Sequence, residues 1–581
     1  MSSESSSETD FEVNTSELAA SLLDAYERLD VSVRRYALFV LAPSAAFFVL
    51  TLVGALALEL PLFVRLPIPV FGALVVGAGV FYPQLRVSQQ KVRMENQYHL
   101  LMTHMTVLST TNIDRMEVFR ELSKEREYGP LADEVNRIVQ LVDTWNQSLD
   151  DACRRRAKQI PSEPLADFFD RLAYTLGAGQ SLSDFLLSEQ EVMLQNYVTV
   201  YESALDNLEV MKDLYMSMIL SMTFALVFAI VLPILTGTNP MLTISGVIVM
   251  FMLIQTGFLL VIRTMAPFDP IWYEPEDITP PDERRMQASV VAGGALSLVT
   301  IGLVASSLFG GPIDLADFLP VDSVPTPLYA ALPFTPLLIP GQTFRRQERE
   351  IVARDEGFPG FIRALGASES AKQTTTTDVL WTLRNKDFGP LTEDIDDLFK
   401  RLNMRIEPTR AWEYFAASAQ SYLIQKFSEM YLVGRQMGGE PKQLGELISE
   451  NMNTVNQLRQ QRRQATITLV GLLYGITAAS TFAFFIGFTI VKILADLSFG
   501  LGAQSTFDVG QLIHTEVYDL PVIQFLLIAV ILFNALMSSL MIRTVDGGHK
   551  LNALTHFVAL TWLGCIIGVV TKLMVEGLLN V

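Results

Sequence analysis

Residues 127–142 read EYGPLADEVNRIVQLV, and residues 387–402 read DFGPLTEDIDDLFKRL. The aromatic-Gly-Pro-Leu opening, with Gly129-Pro130 in one and Gly389-Pro390 in the other, recurs at an offset of 260. Five apolar positions hold the same offset: Leu131, Val135, Ile138, Val139 and Val142 against Leu391, Ile395, Leu398, Phe399 and Leu402. Their i, i+4, i+7, i+8, i+11 spacing is one stripe of an amphipathic helix. Pro130 and Pro390 fall in its first turn, where a missing N–H costs nothing. Leu172 matches Leu432 and Gly179 matches Gly439 at the same offset, and LSDFLL (182–187) resembles LGELIS (444–449) with a slip of two. Amphipathic helices often share apolar spacings by chance. A shared opening and paired glycines at one offset are better explained by duplication.

Each copy reads as all helical. Trp145 ends the first stripe; Leu149, Cys153, Ala157 and Ile160 mark a second helix, and Leu165, Phe168, Phe169, Leu172 and Leu176 a third. GAG (177–179) and MGG (437–439) end a helix by permitting positive φ. A long helix then runs from Leu182 towards an apolar run. Its counterpart runs from Leu444 through Arg459, Arg462 and Arg463 into another.

Of the 581 residues, 50% are apolar and 18% charged, with long uncharged runs, so the chain is a polytopic membrane protein. About nine runs reach the ~20 residues a bilayer requires: 36–58, 66–84, 214–235, 241–263, 288–309, 324–341, 466–491, 521–542 and 555–575. The sixth carries Pro327, Pro333, Pro336 and Pro340 and is expected to be irregular. The expected organisation is a disordered segment 1–33, spans in 34–84, a helical domain 85–213, spans in 214–341, a second helical domain 342–465 and spans in 466–581. No basic n-region or cleavable apolar core precedes the first span, so no secretory signal is expected.

Lys and Arg placement sets the orientation. Arg34, Arg35, Arg86, Lys91, Arg93, Arg263, Arg284, Arg285, Arg345, Arg346, Arg349, Arg543 and Lys550 flank the spans on one side. The loops 59–65, 236–240, 310–323 and 492–520 hold only Arg65 and Lys492. This puts the N-terminus and both helical domains in the cytoplasm and the C-terminus outside.

The charge excludes further classes. There are 43 Lys and Arg, only 12 of them Lys, against 62 Asp and Glu, a net charge of −19. Such an acidic, Lys-poor surface stays hydrated in strong salt, as in a halophilic archaeon, and disfavours a nucleic-acid partner. Cys153 and Cys565 are too far apart in sequence and setting to suggest a disulfide framework or metal site. No P-loop, HExxH or G-x-S-x-G motif occurs, so neither catalysis nor a cofactor is expected. Charged residues are nearly absent from the span interiors, which weighs against an ion-coupled transporter or a channel, the alternative class for a repeat-built membrane protein.

Candidate contact residues are basic or turn-forming. Arg154, Arg155 and Arg156 form a run inside the first domain; Arg345, Arg346 and Arg349 lead into the second; Arg459, Arg462 and Arg463 lead out of it. Topology setting and membrane-surface anchoring explain those beside spans, and close bidentate contacts to a partner protein or to acidic lipid headgroups are the functional alternative. Asp546-Gly547-Gly548 reads as a tight turn between two spans, with His549 and Lys550 beside it.

The tandem helical domains and their Gly-Gly-x…Leu-x-x-Leu endings (GGEPKQLGELI, 438–448) resemble the platform proteins of type IV pilus-like machines, the type II secretion F-domain family. The resemblance covers roughly 85–265 and 345–580. Extra spans before each domain and after the second, and the loop RTVDGGHK (543–550), are similar to the archaeal branch, that of archaellum and adhesion-pilus platforms. The resemblance implies a non-enzymatic scaffold for motility or adhesion filaments. It would dock a hexameric secretion ATPase, receive archaellin or pilin subunits bearing class III signals, and form a homodimer.

Overall fold

The computed structural model describes residues 36–57, most of 76–83, 94–308, 325–502 and 519–578, apart from positions 96, 112, 276, 277, 281 and 374. The expected segment 1–33, most of the span at 66–84 and most of the loops 310–323 and 492–520 lie outside the described residues. Among the described residues the elements are helical, with two isolated backbone bridges.

The chain divides into two compact units. One takes residues up to Tyr98 together with Ser123–Ala178; the other takes His99–Leu122 and everything from Gly179 onward.

In the first unit, α1 is Ala42–Ala57. Helix α2, residues 97–109, and α3, Arg115–Lys124, begin in one unit and end in the other. The rest of the first unit is α4 (Pro130–Asp143), α5 (Leu149–Ala157) and α6 (Glu163–Gly177). Gly129, at φ +52°, turns the chain into α4, whose buried face is Leu131, Val135, Ile138 and Val139. Trp145 does not continue that face into the core; it is 72% exposed. The Ser148 hydroxyl caps α5 by accepting the Asp151 N–H.

In the second unit, α7 is Leu182–Thr236, capped by Ser181, followed by α8 (Pro240–Met265), α9 (Glu283–Leu308) and α10 (Thr326–Ala331). Then come α11 (Leu338–Lys372), α12 (Thr376–Leu383), α13 (Leu391–Asn403), α14 (Pro408–Ala419), α15 (Tyr422–Gln436), α16 (Pro441–Gly502), α17 (Leu520–Asp546) and α18 (Ala553–Leu578).

The described residues contain six helices long and apolar enough to cross a membrane, where nine were expected: α7, α8, α9, α16, α17 and the stretch Lys550–Leu578. The expected first span is helical from Ala37 to Ala57, a π-helical turn Ala37–Leu41 leading into α1, but its described apolar α-helix is too short to be counted among the six. The expected sixth is broken as its prolines require. Helix α10 gives way to a 3-10 segment, Leu332–Leu337, before α11 starts, because prolines leave carbonyls unpaired and clash with the preceding turn.

The helix series α4–α5–α6–α7 and α13–α14–α15–α16 follow the same order, and left-handed residues recur in three matching places. Gly129 and Gly389 precede the first helix, Asn146 and Arg405 follow it, and Gly179 and Gly438 follow the third. The second and third pairs are 259 apart, not 260. Four residues join α13 to α14 where five join α4 to α5, and that one-residue deletion resets the register. The left-handed partner of Gly179 is therefore Gly438 rather than Gly439, and Leu172 matches the buried Tyr431 rather than the half-buried Leu432. Gly439 is small for packing: a Cβ there would stand 2.9 Å from the Gly434 carbonyl oxygen.

Helices α7 and α16 are parallel neighbours, each running unbroken from polar sequence into a span. Gln461 donates to Glu202 at 3.1 Å, and Thr223 and Ser480 share a hydrogen bond of 2.8 Å. Deeper still, Gln255 of α8 donates to Asn534 of α17 (2.6 Å) and to the Tyr215 hydroxyl of α7 (3.4 Å), and Asn534 donates to Thr477 of α16 (3.0 Å). Four spans are thus joined by amide and hydroxyl groups in an otherwise apolar core. At the far end of the spans, Glu576 pairs with Lys492 at 3.1 Å.

Candidate functional site

The residues that sequence reasoning marked as exposed basic contacts divide sharply. Arg154, Arg155, Arg346, Arg349 and Arg463 are exposed. Arg345 is half-buried, and Arg156 pairs with Glu134, which also takes Arg137. Arg459 and Arg462 are buried, at 7% and 3% exposure, and their partners lie within the chain. For these two the expectation of a solvent-facing contact is corrected.

The reason lies in the stripe they occupy. Ile448, Met452, Val455, Arg459, Arg462, Thr466, Leu469 and Leu473 recur every three and four residues along α16, and all are buried. Two arginines therefore stand in a seam otherwise built for apolar side chains. Burying a guanidinium requires acceptors on every side.

Arg459 donates twice to Asp269 (2.6 and 2.7 Å), once to Asp355 of α11 (2.7 Å) and once to the Pro270 carbonyl (3.0 Å). Arg462 donates to the Val545 carbonyl at 2.6 Å and to that of Thr544 at 3.3 Å, at the end of α17. Asp355 is further held by the hydroxyl of Ser421, which also caps α15 by accepting the Ile424 N–H at 3.1 Å. The stretch after α8 pairs its backbone with the start of α15: Tyr422 N–H to the Ile271 carbonyl, and Tyr273 N–H to that of Gln420.

A second carboxylate, Glu348 of α11, collects the Trp272 indole N–H (2.9 Å) and the His549 backbone N–H (2.8 Å). The His549 ring stacks on Phe344 with centroids 4.5 Å apart. This fixes Asp546-Gly547-Gly548. Gly547 ends α17 at φ +79°, and a Cβ on it would fall 2.7 Å from the Arg462 guanidinium carbon. A Cβ on Gly548 would collide with the Glu348 carboxylate. The loop is a tight turn clamped from within.

Electrostatically the junction holds two carboxylates against one shared guanidinium. Burial pushes Asp355 up to about 6, only partly opposed by Arg459. For Asp269 burial acts in the same direction, but the bidentate Arg459 outweighs it and holds the carboxyl below its ordinary value. Burial also raises Glu348. Among the described residues no His, Cys, Asp and Glu side chains group to hold a metal ion. The arrangement is suited to fastening: it ties the stretch after α8, the end of α17, and helices α11 and α15 to one point on α16.

Sequence reasoning passed over Asp269, Trp272, Glu348 and Asp355. A signal existed for Asp355, which falls on the buried stripe Ile351, Asp355, Phe358, Ile362 of α11, where an unpaired carboxylate would be untenable.

Residues 101–231 match the family model for type II secretion system (T2SS), protein F. Over 563 residues, 96% of this chain and 98% of the relative, the sequence is 32% identical to flagella accessory protein J of Methanocaldococcus jannaschii. Over 567 residues, 96% of the chain and 99% of the relative, it is 31% identical to flagella accessory protein J of Methanococcus voltae. An uncharacterized protein of M. jannaschii shares 23% identity over 143 residues, about a quarter of each chain. No solved structure matches. The chain belongs to the flagella accessory protein J family, non-catalytic multi-pass membrane proteins of flagellar or pilus-type filament assembly.

Proposed function

We propose that the chain is the membrane platform of an archaellum, coupling a cytoplasmic secretion ATPase to the insertion of filament subunits. The observation that carries this reading is the pair α7 and α16. These helices of 55 and 62 residues run from the polar blocks into spans, so a displacement at one end is delivered to the bilayer without an intervening hinge. In this reading both helical blocks, 85–213 and 342–465, are F-domain repeats on the cytoplasmic side, where the basic flanks of the spans lie.

Docking of a hexameric ATPase is supported by a feature common to both copies. Trp145 and Met404, one in each, are 72% and 66% exposed, and each directly precedes the left-handed residue that follows the first helix. A partner built of identical subunits offers the same pocket more than once, and a duplicated module offers a large apolar side chain at the same place twice. In this reading the exposed Arg154, Arg155, Arg346, Arg349 and Arg463 are further contacts for the ATPase. Homodimerisation in the membrane, as the family resemblance implies, completes the reading.

The test is twofold. Deleting the gene should abolish filaments while processed subunits accumulate in the membrane; filaments in the deletant would refute the platform. Trp145→Ala with Met404→Ala should lower copurification of the secretion ATPase from detergent about tenfold or more; undiminished recovery would remove this docking site.

A further inference from the structure

A cavity of about 450 Å³ opens where α7, α8, α16 and α17 meet the polar end of their spans. Its walls are mixed, with Leu205, Leu469 and Met541 standing among Tyr215, Gln464 and Thr468. Its rim is acidic: Glu202, Asp206 and Glu209 project from successive turns of α7. Lys212 pairs with Glu209 at 3.0 Å, and Glu202 takes only the neutral amide of Gln461. No ion pair to Glu202 or Asp206 is found among the described residues, so the rim carries two carboxylates without a cation of their own beside a partly apolar hollow.

Three properties define what fits. The cavity stands at the level where the apolar spans give way to polar sequence, so an apolar helix and its polar flank meet there. Its exposed carboxylates border the apolar part of the wall, so a cation is favoured there over an anion. Two of its walls are α7 and α16, so any movement of those helices changes its shape.

We propose that this cavity receives the polar end of a single membrane helix from a second polypeptide, one carrying Lys or Arg where it leaves the bilayer. In the filament platform this polypeptide is the membrane-embedded subunit awaiting assembly. The proposal rests on the platform reading and deepens it by naming the receiving site and the charge it selects.

The experiment uses the full chain in nanodiscs with a benzophenone attached at Leu205→Cys. The probes are a Leu/Ala single-span peptide ending in three lysines and the same peptide ending in three glutamates. The lysine peptide should cross-link at least about tenfold more than the glutamate peptide. Asp206→Lys with Glu202→Lys, in protein that elutes and melts as the parent does, should abolish that preference. Equal cross-linking of both peptides, an unchanged preference in the variant, or adducts to lipid alone would overturn the site. A negative result in cells whose deletant lacks filaments removes the site and leaves the platform standing. Filaments in the deletant remove the platform and leave the peptide result to be judged by itself.

Discussion

Glu202 and Gln461 are 259 positions apart, and they are hydrogen-bonded to each other. The same 259 separates Asn146 from Arg405 and Gly179 from Gly438. Equivalent positions of two parallel helices therefore meet at this level, as they do in a parallel two-stranded coil, whereas within the spans Thr223 meets Ser480 at a separation of 257. A short thiol-reactive linker should join Glu202→Cys to Gln461→Cys within one chain. Peptide mass spectrometry checks it, and a cross-link found only between separate chains would disprove the pairing.

The Arg459 junction predicts opposite behaviour for its two carboxylates. Asp355 is raised in the folded state, so its contribution is fully present below pH 3.8 and lost as the pH climbs through about 6. Asp355→Asn should flatten the dependence of the melting midpoint across that window. Asp269 is lowered, so its contribution is present above the ordinary carboxylate value and lost as the pH falls through its depressed one. Asp269→Asn should therefore destabilise at neutral pH. Arg459→Ala strands both carboxylates and should cost about 3–5 kcal/mol. Thermal unfolding in detergent from pH 4 to 8 reads all three; identical profiles for the two Asn variants would contradict this electrostatic account.

Helices α11 and α16 cross backbone to backbone. A Cβ on Gly445 would lie 2.7 Å from the Ile362 carbonyl oxygen, and one on Gly366 would overlap the carbonyl of Pro441. Gly366→Ala should therefore cost about 1–3 kcal/mol by overpacking. Gly360→Ala, on the same helix with open space at its Cβ, should be tolerated. Comparing the two melting midpoints tests the crossing, and equal midpoints would argue against it.

Within the spans, Asn534 links Gln255 of α8 to Thr477 of α16. Replacing it with Leu should cost about 1–2 kcal/mol, the scale of interhelical hydrogen bonds in lipid. Resistance to unfolding by denaturing detergent is the measurement, and an unchanged midpoint would show that the link carries no weight.

Six of the nine expected spans were legible because a bilayer demands long apolar runs, and the duplication because EYGPL and DFGPL announce it. The register beyond the first helix was not. One residue lost between Asn403 and Pro408 moves every later match by one, and glycine pairs and leucines that happened to stand 260 apart concealed the shift. The junction was hidden for another reason. Arginines near a membrane read first as topology signals, and only the alternation of three and four along α16 shows that Arg459 and Arg462 point inward. Their partners Asp269 and Asp355 are 190 and 104 residues away, a pairing that tertiary contact alone reveals.

The joining of α7 and α16 in one polypeptide frees them from having to match. At the position equivalent to Arg459 stands Val200, and at that of Arg462 stands Ser203, both turned to the surface. A homodimeric coil would be forced to bury arginine on both strands or neither. Fusion lets one strand be bolted to its surroundings while its twin presents different side chains at the same height, so the two strands need not respond alike.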